Sequence, residues 1–102
     1  MDTFSVLAEP RRRRVVEILA QRGKLSASEI CDEFDVTPQA VSQHLRVLRE
    51  ANVIQVEKSA QRRLYTFNPR SLSHIQAWAA AMTRTWNRRL DRLDQALKEE
   101  AV

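Results

Sequence analysis

The chain has 102 residues, of which 43% are hydrophobic and 29% charged, and Lys and Arg outnumber Asp and Glu by 17 to 13. These proportions exclude a disordered chain and indicate one globular domain with a preference for anionic partners. One cysteine excludes an intrachain disulfide, and no stretch approaches the roughly 20 apolar residues of a membrane span. The N-terminal stretch lacks the pattern of a signal peptide, so we expect a cytoplasmic protein that does not contact a membrane.

A run of four arginines, residues 11–14, opens the first predicted helix. Pro10 fits a first helical turn and Gly23 is a natural residue to follow a last turn, so the pattern predicts a helix between them. Four successive helical residues spread over about 300° around the axis. The arginines therefore cannot form one basic patch. The run marks mainly a helix start, with a phosphate contact from Arg13 or Arg14 left open.

Two further helix starts follow at short spacing. The stretch "SASE" at residues 26–29 has the pattern of a capping box and predicts a short helix through Phe34. Thr37 followed by proline is typical of an N-cap and a first helical position. It predicts a helix to about Ala51, with Asn52 as a left-handed stop.

The rest of the chain predicts a β-hairpin and one long helix. "VIQVEKS" and "RRLYTFN" are rich in β-branched and aromatic residues, and a short polar link at residues 60–61 separates them. Ser71 can cap a last helix that reaches about Lys98. This order predicts a mainly α fold with a small β-hairpin, which is a winged helix-turn-helix with a long C-terminal helix.

The helix that follows Thr37 has an apolar stripe and a polar outer face. On a helical wheel the stripe comprises Val41, Leu45 and Leu48. The opposite face carries two amides and a guanidinium, those of Gln39, Gln43 and Arg46. Glutamine pairs with adenine in the major groove, and arginine with guanine or phosphate. Because the N-terminal part of such a helix meets base edges, we expect base contacts from the glutamines and Ala40, with Thr37 and Ser42 at phosphate oxygens. A solvated polar face is the alternative.

The charge distribution agrees with a duplex-facing surface. Residues 25–35 hold four carboxylates and no Lys or Arg, whereas residues 36–70 hold six Lys and Arg against two carboxylates. Three of these cations flank the hairpin tip and are predicted to reach phosphate or the minor groove: Lys58, Arg62 and Arg63.

His44 lies about 60° from the centre of the apolar stripe. This position favours a half-buried structural histidine over a phosphate contact or a metal ligand.

Four blocks of the chain resemble, in order, the ArsR/SmtB family of bacterial winged-helix repressors: "LAEPRRRRVVEIL", "LSASEI", "VTPQAVSQHLRVLREANVI" and "RRLYTFNP". The resemblance implies a homodimer that binds a partly palindromic operator in double-stranded DNA and represses transcription. It also implies DNA contacts from Gln39, Ala40, Ser42, Gln43 and His44. The family's recurring arginine falls at Arg12, which fits an ion pair, for example with Glu9, or a cap on a neighbouring helix.

The chain departs from the family's metal-sensing members. Those members carry Cys-x-Cys on the helix before the turn, where this chain has Ser26 and Ser28, and hydroxyls are poor ligands for thiophilic metals. Cys31 alone does not make a site. Another subgroup binds zinc along the last helix, which here has His74 and no second histidine. The resemblance is to metal-independent members, whose last helix carries Trp before a stretch like "RRLDRLD", and we expect no metal site and no cofactor.

The last predicted helix carries an apolar seam at close to heptad spacing. Its positions are Ile75, Ala79, Met82, Trp86, Leu90, Leu93 and Leu97. The seam is longer than a domain of this size covers with its own core, and a two-fold operator requires two reading helices. We therefore expect a dimer interface, joined by Phe4 and Leu7. An intramolecular core helix is the alternative.

The pattern predicts one DNA-binding domain over residues 1–102, with a winged-helix core at 1–70 and a dimerisation helix at 71–99. Its expected function is sequence-specific transcription regulation, as a repressor with no effector ligand identified. A module that binds protein or RNA is the alternative, which the basic, amide-bearing face of residues 39–46 disfavours. Without a Gly-rich phosphate loop, paired catalytic carboxylates or a Cys/His arrangement, the sequence does not predict an enzyme.

Overall fold

The computed structural model describes residues 1–101, which form helices and one antiparallel sheet. In chain order the elements are α1 (Thr3–Ala8), α2 (Pro10–Arg22), β1 (Leu25–Ser26), α3 (Ala27–Cys31), α4 (Pro38–Glu50), β2 (Ile54–Ser59), β3 (Arg62–Phe67), a 3-10 helix (Pro69–Leu72) and α5 (Ser73–Glu100). They divide into two compact units, of which the first ends at Leu72 and the second contains α5. The mainly α fold with a small sheet and a long last helix is the one that the sequence predicts.

Local capping explains where α2 and α4 begin and end. The backbone N–H of Gly23 donates to the Leu19 carbonyl at 2.8 Å, and the φ of this glycine is 87°, so the residue after α2 has the left-handed φ that only glycine adopts without cost. The Thr37 hydroxyl accepts the N–H of Ala40 at 3.2 Å and begins α4. Asn52, with a φ of 59°, is the left-handed residue just beyond the end of α4. These three features confirm the predicted boundaries.

The segment between α2 and α4 differs from the prediction. Its capping box is present, with Glu29 N–H donating to Ser26 Oγ at 3.2 Å and Ser26 N–H donating to Glu29 Oε1 at 3.1 Å. However, α3 ends at Cys31, so the expected extent through Phe34 is wrong. The N–H of Phe34 donates to the Cys31 carbonyl three residues back, and its side chain packs against the core. This tighter turn replaces the last helical turn and brings the aromatic ring inward.

The sheet has three strands in the order β1-β3-β2, one more than the predicted hairpin. The strand that the sequence did not predict is β1, whose Leu25 pairs with Tyr65 of β3. The hairpin itself is confirmed, with Ser59 opposite Arg62 and a two-residue loop between them. Ala60, the first residue of that loop, has a φ of 55°, and β-turns of type II′ have a positive φ at this position.

One apolar core joins the elements of the first unit. Its buried side chains are Val6, Val15, Val16, Ile18, Leu19, Leu25, Ile30, Val41, Leu45, Leu48, Val53, Ile54 and Tyr65. They come from both helices and strands, and the predicted stripe of α4 lies entirely among them. Burial of that stripe orients α4, because the side chains on its opposite face must then point to solvent. The core therefore decides which face of this helix is available to a partner.

The second unit consists of α5, which begins later than predicted. Ser71 lies in the preceding 3-10 helix, where its hydroxyl donates to the Asn68 carbonyl at 2.7 Å, so Ser71 does not cap α5. The helix runs to Glu100, and none of its residues is buried. Five of its large apolar side chains in the predicted seam are exposed: Met82, Trp86, Leu90, Leu93 and Leu97. No helix within residues 1–101 is long and apolar enough to cross a membrane.

Candidate nucleic-acid interface

The outer face of α4 presents amide and hydroxyl groups at its N-terminal end. Gln39, Ser42 and Gln43 are exposed, while Ala40 is half-buried beside them. Thr37 is also exposed, and although its oxygen accepts the cap bond, its hydroxyl hydrogen stays available as a donor. The structure thus brings the predicted base-contacting and phosphate-contacting residues together within about two turns of one helix. Side chains of this reach and chemistry can hydrogen-bond base edges and phosphate oxygens.

Arg46 extends the same face and has a partner on its own helix. Its Nε donates to Glu50 Oε1 at 3.1 Å, and both side chains are about two-thirds exposed, at 70% and 67%. Exposed pairs four residues apart on a helix contribute only about 0.3–0.5 kcal/mol. A phosphate can therefore replace the carboxylate at little cost to the fold.

The hairpin presents two cations side by side. Lys58 of β2 lies directly opposite Arg63 of β3, and both side chains are exposed. Neither has an ion-pair partner among the described residues. Like charges at opposed positions of a sheet repel each other, and an anion bound between them removes that repulsion. This part of the hairpin is suited to contact a phosphate backbone.

Arg62, the third cation of the hairpin, contacts an acidic residue of α3 that the sequence did not indicate as its partner. Its guanidinium donates from Nη2 to Glu29 Oε1 at 3.0 Å, and its side chain remains 65% exposed. The same carboxylate oxygen accepts the capping bond from Ser26. A contact between Arg62 and a phosphate would therefore compete with a contact that already exists within the protein.

The ionisation of Glu29 supports both of its contacts at neutral pH. Hydrogen bonds from the backbone and the side chain of Ser26 hold the pKa of Glu29 below its ordinary value of 4.5, and the charge of Arg62 lowers it further. A carboxyl group whose pKa is lowered by folding stabilises the fold above its ordinary pKa, and the stabilisation is lost as pH falls below it. The capping box and the link to the hairpin are thus intact throughout the neutral range.

His44 is half-buried on the inner side of α4, as the wheel predicts. Its side chain is 16% exposed, and its Nδ1 lies 3.8 Å from Oε2 of Glu9, the N-cap residue of α2. Arg12 does not pair with that carboxylate through its guanidinium. Instead its Nε donates to the Val6 carbonyl at 2.7 Å, so of the two expected roles it takes that of a cap on α1.

No group of three or more His, Cys, Asp or Glu side chains within residues 1–101 is arranged to hold a metal ion. Ser26 is occupied as a helix cap, Ser28 is exposed, and Cys31 is half-buried with a free thiol.

Of the expected dimer contacts on α1, Phe4 is exposed and Leu7 is half-buried.

Comparison with known proteins identifies the family. A helix-turn-helix domain model matches residues 7–57. Over an alignment of 97 residues, the chain is 33% identical to the HTH-type transcriptional regulator Rv2034 of Mycobacterium tuberculosis. That alignment covers 95% of this chain and 87% of the regulator. It is 32% identical over 80 residues to the arsenical resistance operon repressor of Escherichia coli, across 78% of this chain and 65% of that protein.

A solved structure agrees with these matches. A crystal structure of an ArsR family transcriptional regulator is 27% identical to this chain and matches with a TM-score of 0.74, over 82% of this chain and 86% of that one. The helix-turn-helix match includes α4, the helix whose exposed amides suit base edges. The chain therefore belongs to the ArsR/SmtB family of winged helix-turn-helix transcriptional regulators, which are DNA-binding proteins and not enzymes.

Proposed function

We propose that the protein is a homodimeric transcriptional repressor that binds a partly palindromic operator in double-stranded DNA. The observation that carries this proposal is α4, which buries its apolar stripe in the core and exposes two glutamines at its N-terminal end. That arrangement is the one in which a recognition helix meets base edges in the major groove. A relative of this chain is named as an operon repressor, which supports repression as the outcome of binding. The site of action of such a regulator is the cytoplasm.

In this proposal the residues of the interface have distinct roles. Gln39, Ala40 and Gln43 contact base edges, which determines sequence preference. The remaining contacts go to the phosphate backbone and position the protein: Thr37, Ser42, His44, Arg46, Lys58, Arg62 and Arg63. The core over residues 1–70 carries this interface, and the helix over residues 71–99 carries dimerisation.

The exposed seam of α5 supports the dimer. Trp86 at 56% and Leu90 at 43% exposure are large apolar side chains in contact with water in the single chain. A row of exposed large apolar side chains along one helix face marks an association surface. Burial of that surface would stabilise association by roughly 25 cal/mol per Å² of apolar area. We propose a second copy of this chain as the occupant, with contacts from Phe4, Leu7, Ile75, Ala79, Met82, Trp86, Leu90 and Leu93.

Selection of bound sequences from random duplexes with the purified protein tests the proposal. We expect enrichment of two inverted half-sites whose centres lie about one helical turn of DNA apart, because a two-fold dimer presents its recognition helices at that spacing. Enrichment of a single half-site would contradict the dimer but retain DNA reading. If the bound duplexes show no enriched sequence at any salt concentration, operator recognition is contradicted.

A prediction for the hairpin concerns Arg62. Arg62→Ala should weaken binding to all duplexes alike and lower the slope of log affinity against log salt by about one unit, because one phosphate contact is lost. Lys98→Ala is the matched control, since Lys98 also pairs with a carboxylate, Asp94 at 3.1 Å, but lies on α5. Equal slopes for Arg62→Ala and the wild-type protein would show that Arg62 of the wild-type protein keeps its contact with Glu29 in the DNA complex and does not contact a phosphate.

We further propose that this protein does not sense metal through the positions used by its metal-sensing relatives. Ser26 lacks a thiolate, and its hydroxyl accepts the Glu29 N–H as the cap of α3. Zinc and arsenite at micromolar concentration should leave operator affinity unchanged, as measured by fluorescence anisotropy. Release of DNA by either metal in the wild-type protein, lost in Cys31→Ser, would overturn this prediction and identify Cys31 as a sensor.

A further inference from the structure

One cation of the hairpin is already held by the protein itself. The guanidinium of Arg62, the first residue of β3, donates from Nη2 to Glu29 Oε1 of α3 at 3.0 Å. The other two hairpin cations, Lys58 and Arg63, have no ion-pair partner among residues 1–101. Arg62 is therefore the hairpin cation that must leave a carboxylate before it can contact another anion in the same geometry.

The carboxylate of Glu29 is held in place independently of Arg62. Its Oε1 also accepts the Ser26 N–H at 3.1 Å, and the Ser26 Oγ accepts the Glu29 N–H at 3.2 Å, so the capping box fixes this side chain at the start of α3. The hydrogen bonds from Ser26 hold the pKa of Glu29 below its ordinary value of 4.5, so the carboxylate is charged at neutral pH. Glu29 therefore presents a fixed anion to Arg62 and keeps a hydrogen-bond donor when Arg62 leaves.

The contact between Arg62 and Glu29 is open to solvent. The two side chains are 65% and 41% exposed, and they line one cleft together with Ser28 and Arg63. A phosphate can therefore reach the guanidinium without entering the core. Exposed ion pairs change an equilibrium constant by only about 1.5- to 5-fold. The contact is thus weak enough for DNA to displace and strong enough for its displacement to be measured.

We propose that Glu29 is an internal competitor of DNA for Arg62, which binds the guanidinium in the free protein and is replaced by a phosphate in the complex. The exchange breaks the hydrogen bond from Nη2 to Glu29 Oε1 and forms one from the same guanidinium to a phosphate oxygen. The protein therefore binds every duplex less tightly than its cations alone would allow. Phosphate contacts carry no sequence information, so Glu29 lowers affinity and leaves operator preference unchanged. This inference rests on the proposed function for DNA as the source of the phosphate.

Glu29→Gln tests the competition, because glutamine completes a capping box as glutamate does while the charge is removed. At low salt we expect this variant to bind operator and random duplex about two- to fivefold more tightly, with the ratio of the two affinities unchanged. The gain should shrink as salt rises, since salt screens the exposed ion pair that the wild-type protein must break. Fluorescence anisotropy measures both affinities, and circular dichroism checks the fold. Glu33→Gln is the matched control, because Glu33 pairs with Arg22 instead, and it should change affinity by less than about 1.5-fold.

A double-mutant cycle with Arg62→Ala separates competition from general repulsion between a carboxylate and DNA. In the Arg62→Ala background the gain from Glu29→Gln should fall below about 1.5-fold, whereas in Arg63→Ala, which lacks the neighbouring unpaired cation, it should persist in full. An equal gain with and without Arg62 would overturn the inference and assign the effect to long-range repulsion. Weaker DNA binding by Glu29→Gln would also overturn it, because the contact would then position the hairpin for DNA. Unchanged affinity would overturn it by showing that Arg62 keeps Glu29 in the complex.

Urea unfolding of the free protein measures the same contact without DNA. The wild-type protein, Glu29→Gln, Arg62→Ala and the double variant should show a coupling of about two- to fivefold in the unfolding equilibrium constant. Independent effects of the two substitutions would overturn the inference, because Glu29 can compete only if it binds Arg62 in the free protein. The absence of any enriched operator sequence would contradict the proposed function, and the affinities for random duplex would still decide whether Glu29 competes.

Discussion

Gln43→Ala should relax sequence preference, weakening binding to the preferred operator by about 1–3 kcal/mol while affinity for random duplex stays similar. The amide of Gln43 is exposed on the outer face of α4, within about two turns of the Thr37 cap, and the substitution leaves the buried stripe untouched. Because alanine is a good helix former, the helix itself should not weaken. Fluorescence anisotropy with operator and random duplexes at the same salt concentration measures both affinities.

The matched control for this prediction is Gln21→Ala. Gln21 is also an exposed glutamine, but it belongs to α2 and not to α4 or the hairpin. It should leave both affinities and their ratio unchanged. An equal loss on operator and random DNA for Gln43→Ala would show that Gln43 contacts the backbone and not a base edge, and Gln39 would then become the principal candidate for readout.

The starts of the main helices could be predicted because their signals are local. Thr37 caps α4 through the Ala40 N–H only three residues away, and Ser26 and Glu29 form a reciprocal pair at the same spacing. Such contacts depend on residues that are adjacent on the helix, so the order of residue types is sufficient to indicate them. The buried stripe of α4 follows in the same way from helical periodicity.

The features that the sequence did not indicate depend on contacts between distant residues. The strand β1 has only two residues, too few to show an alternating pattern, and it exists because Leu25 pairs with Tyr65. Arg62 and Glu29 are 33 positions apart, and Glu9 and His44 are 35 apart. Neither pair has a spacing that a helix or a hairpin would bring together. Their proximity follows from the packing of the core.

The seam of α5 is a separate case, because periodicity indicates the face but not what covers it. The helix spans 28 residues with none of them buried, and its large apolar side chains are exposed in the single chain. A sustained near-heptad spacing is typical of helices that associate.

Leu90→Glu should separate the proposed dimer into folded monomers and reduce operator affinity toward the non-specific level. Leu90 is 43% exposed in the single chain, so the carboxylate costs little there, whereas in the dimer it would enter a desolvated seam on both chains. Burial of unpaired charge costs several kcal/mol, roughly 3–5 by comparison with broken buried ion pairs. Operator affinity falls because two half-sites are bound tightly only when one rigid body presents both recognition helices.

Sedimentation measures the oligomeric state of Leu90→Glu, and circular dichroism measures its fold. Gln95→Glu is the matched control, because it adds the same charge to the polar side of α5 and should remain dimeric with full operator affinity. A folded Leu90→Glu monomer that binds the complete operator as tightly as the wild-type protein would contradict the role of the dimer. If Leu90→Glu loses helix content instead, the milder Leu90→Ala separates the two roles of the seam. A weakened dimer with unchanged helix content at high protein concentration supports an interface, whereas the same loss of helix at every concentration indicates an intramolecular core helix.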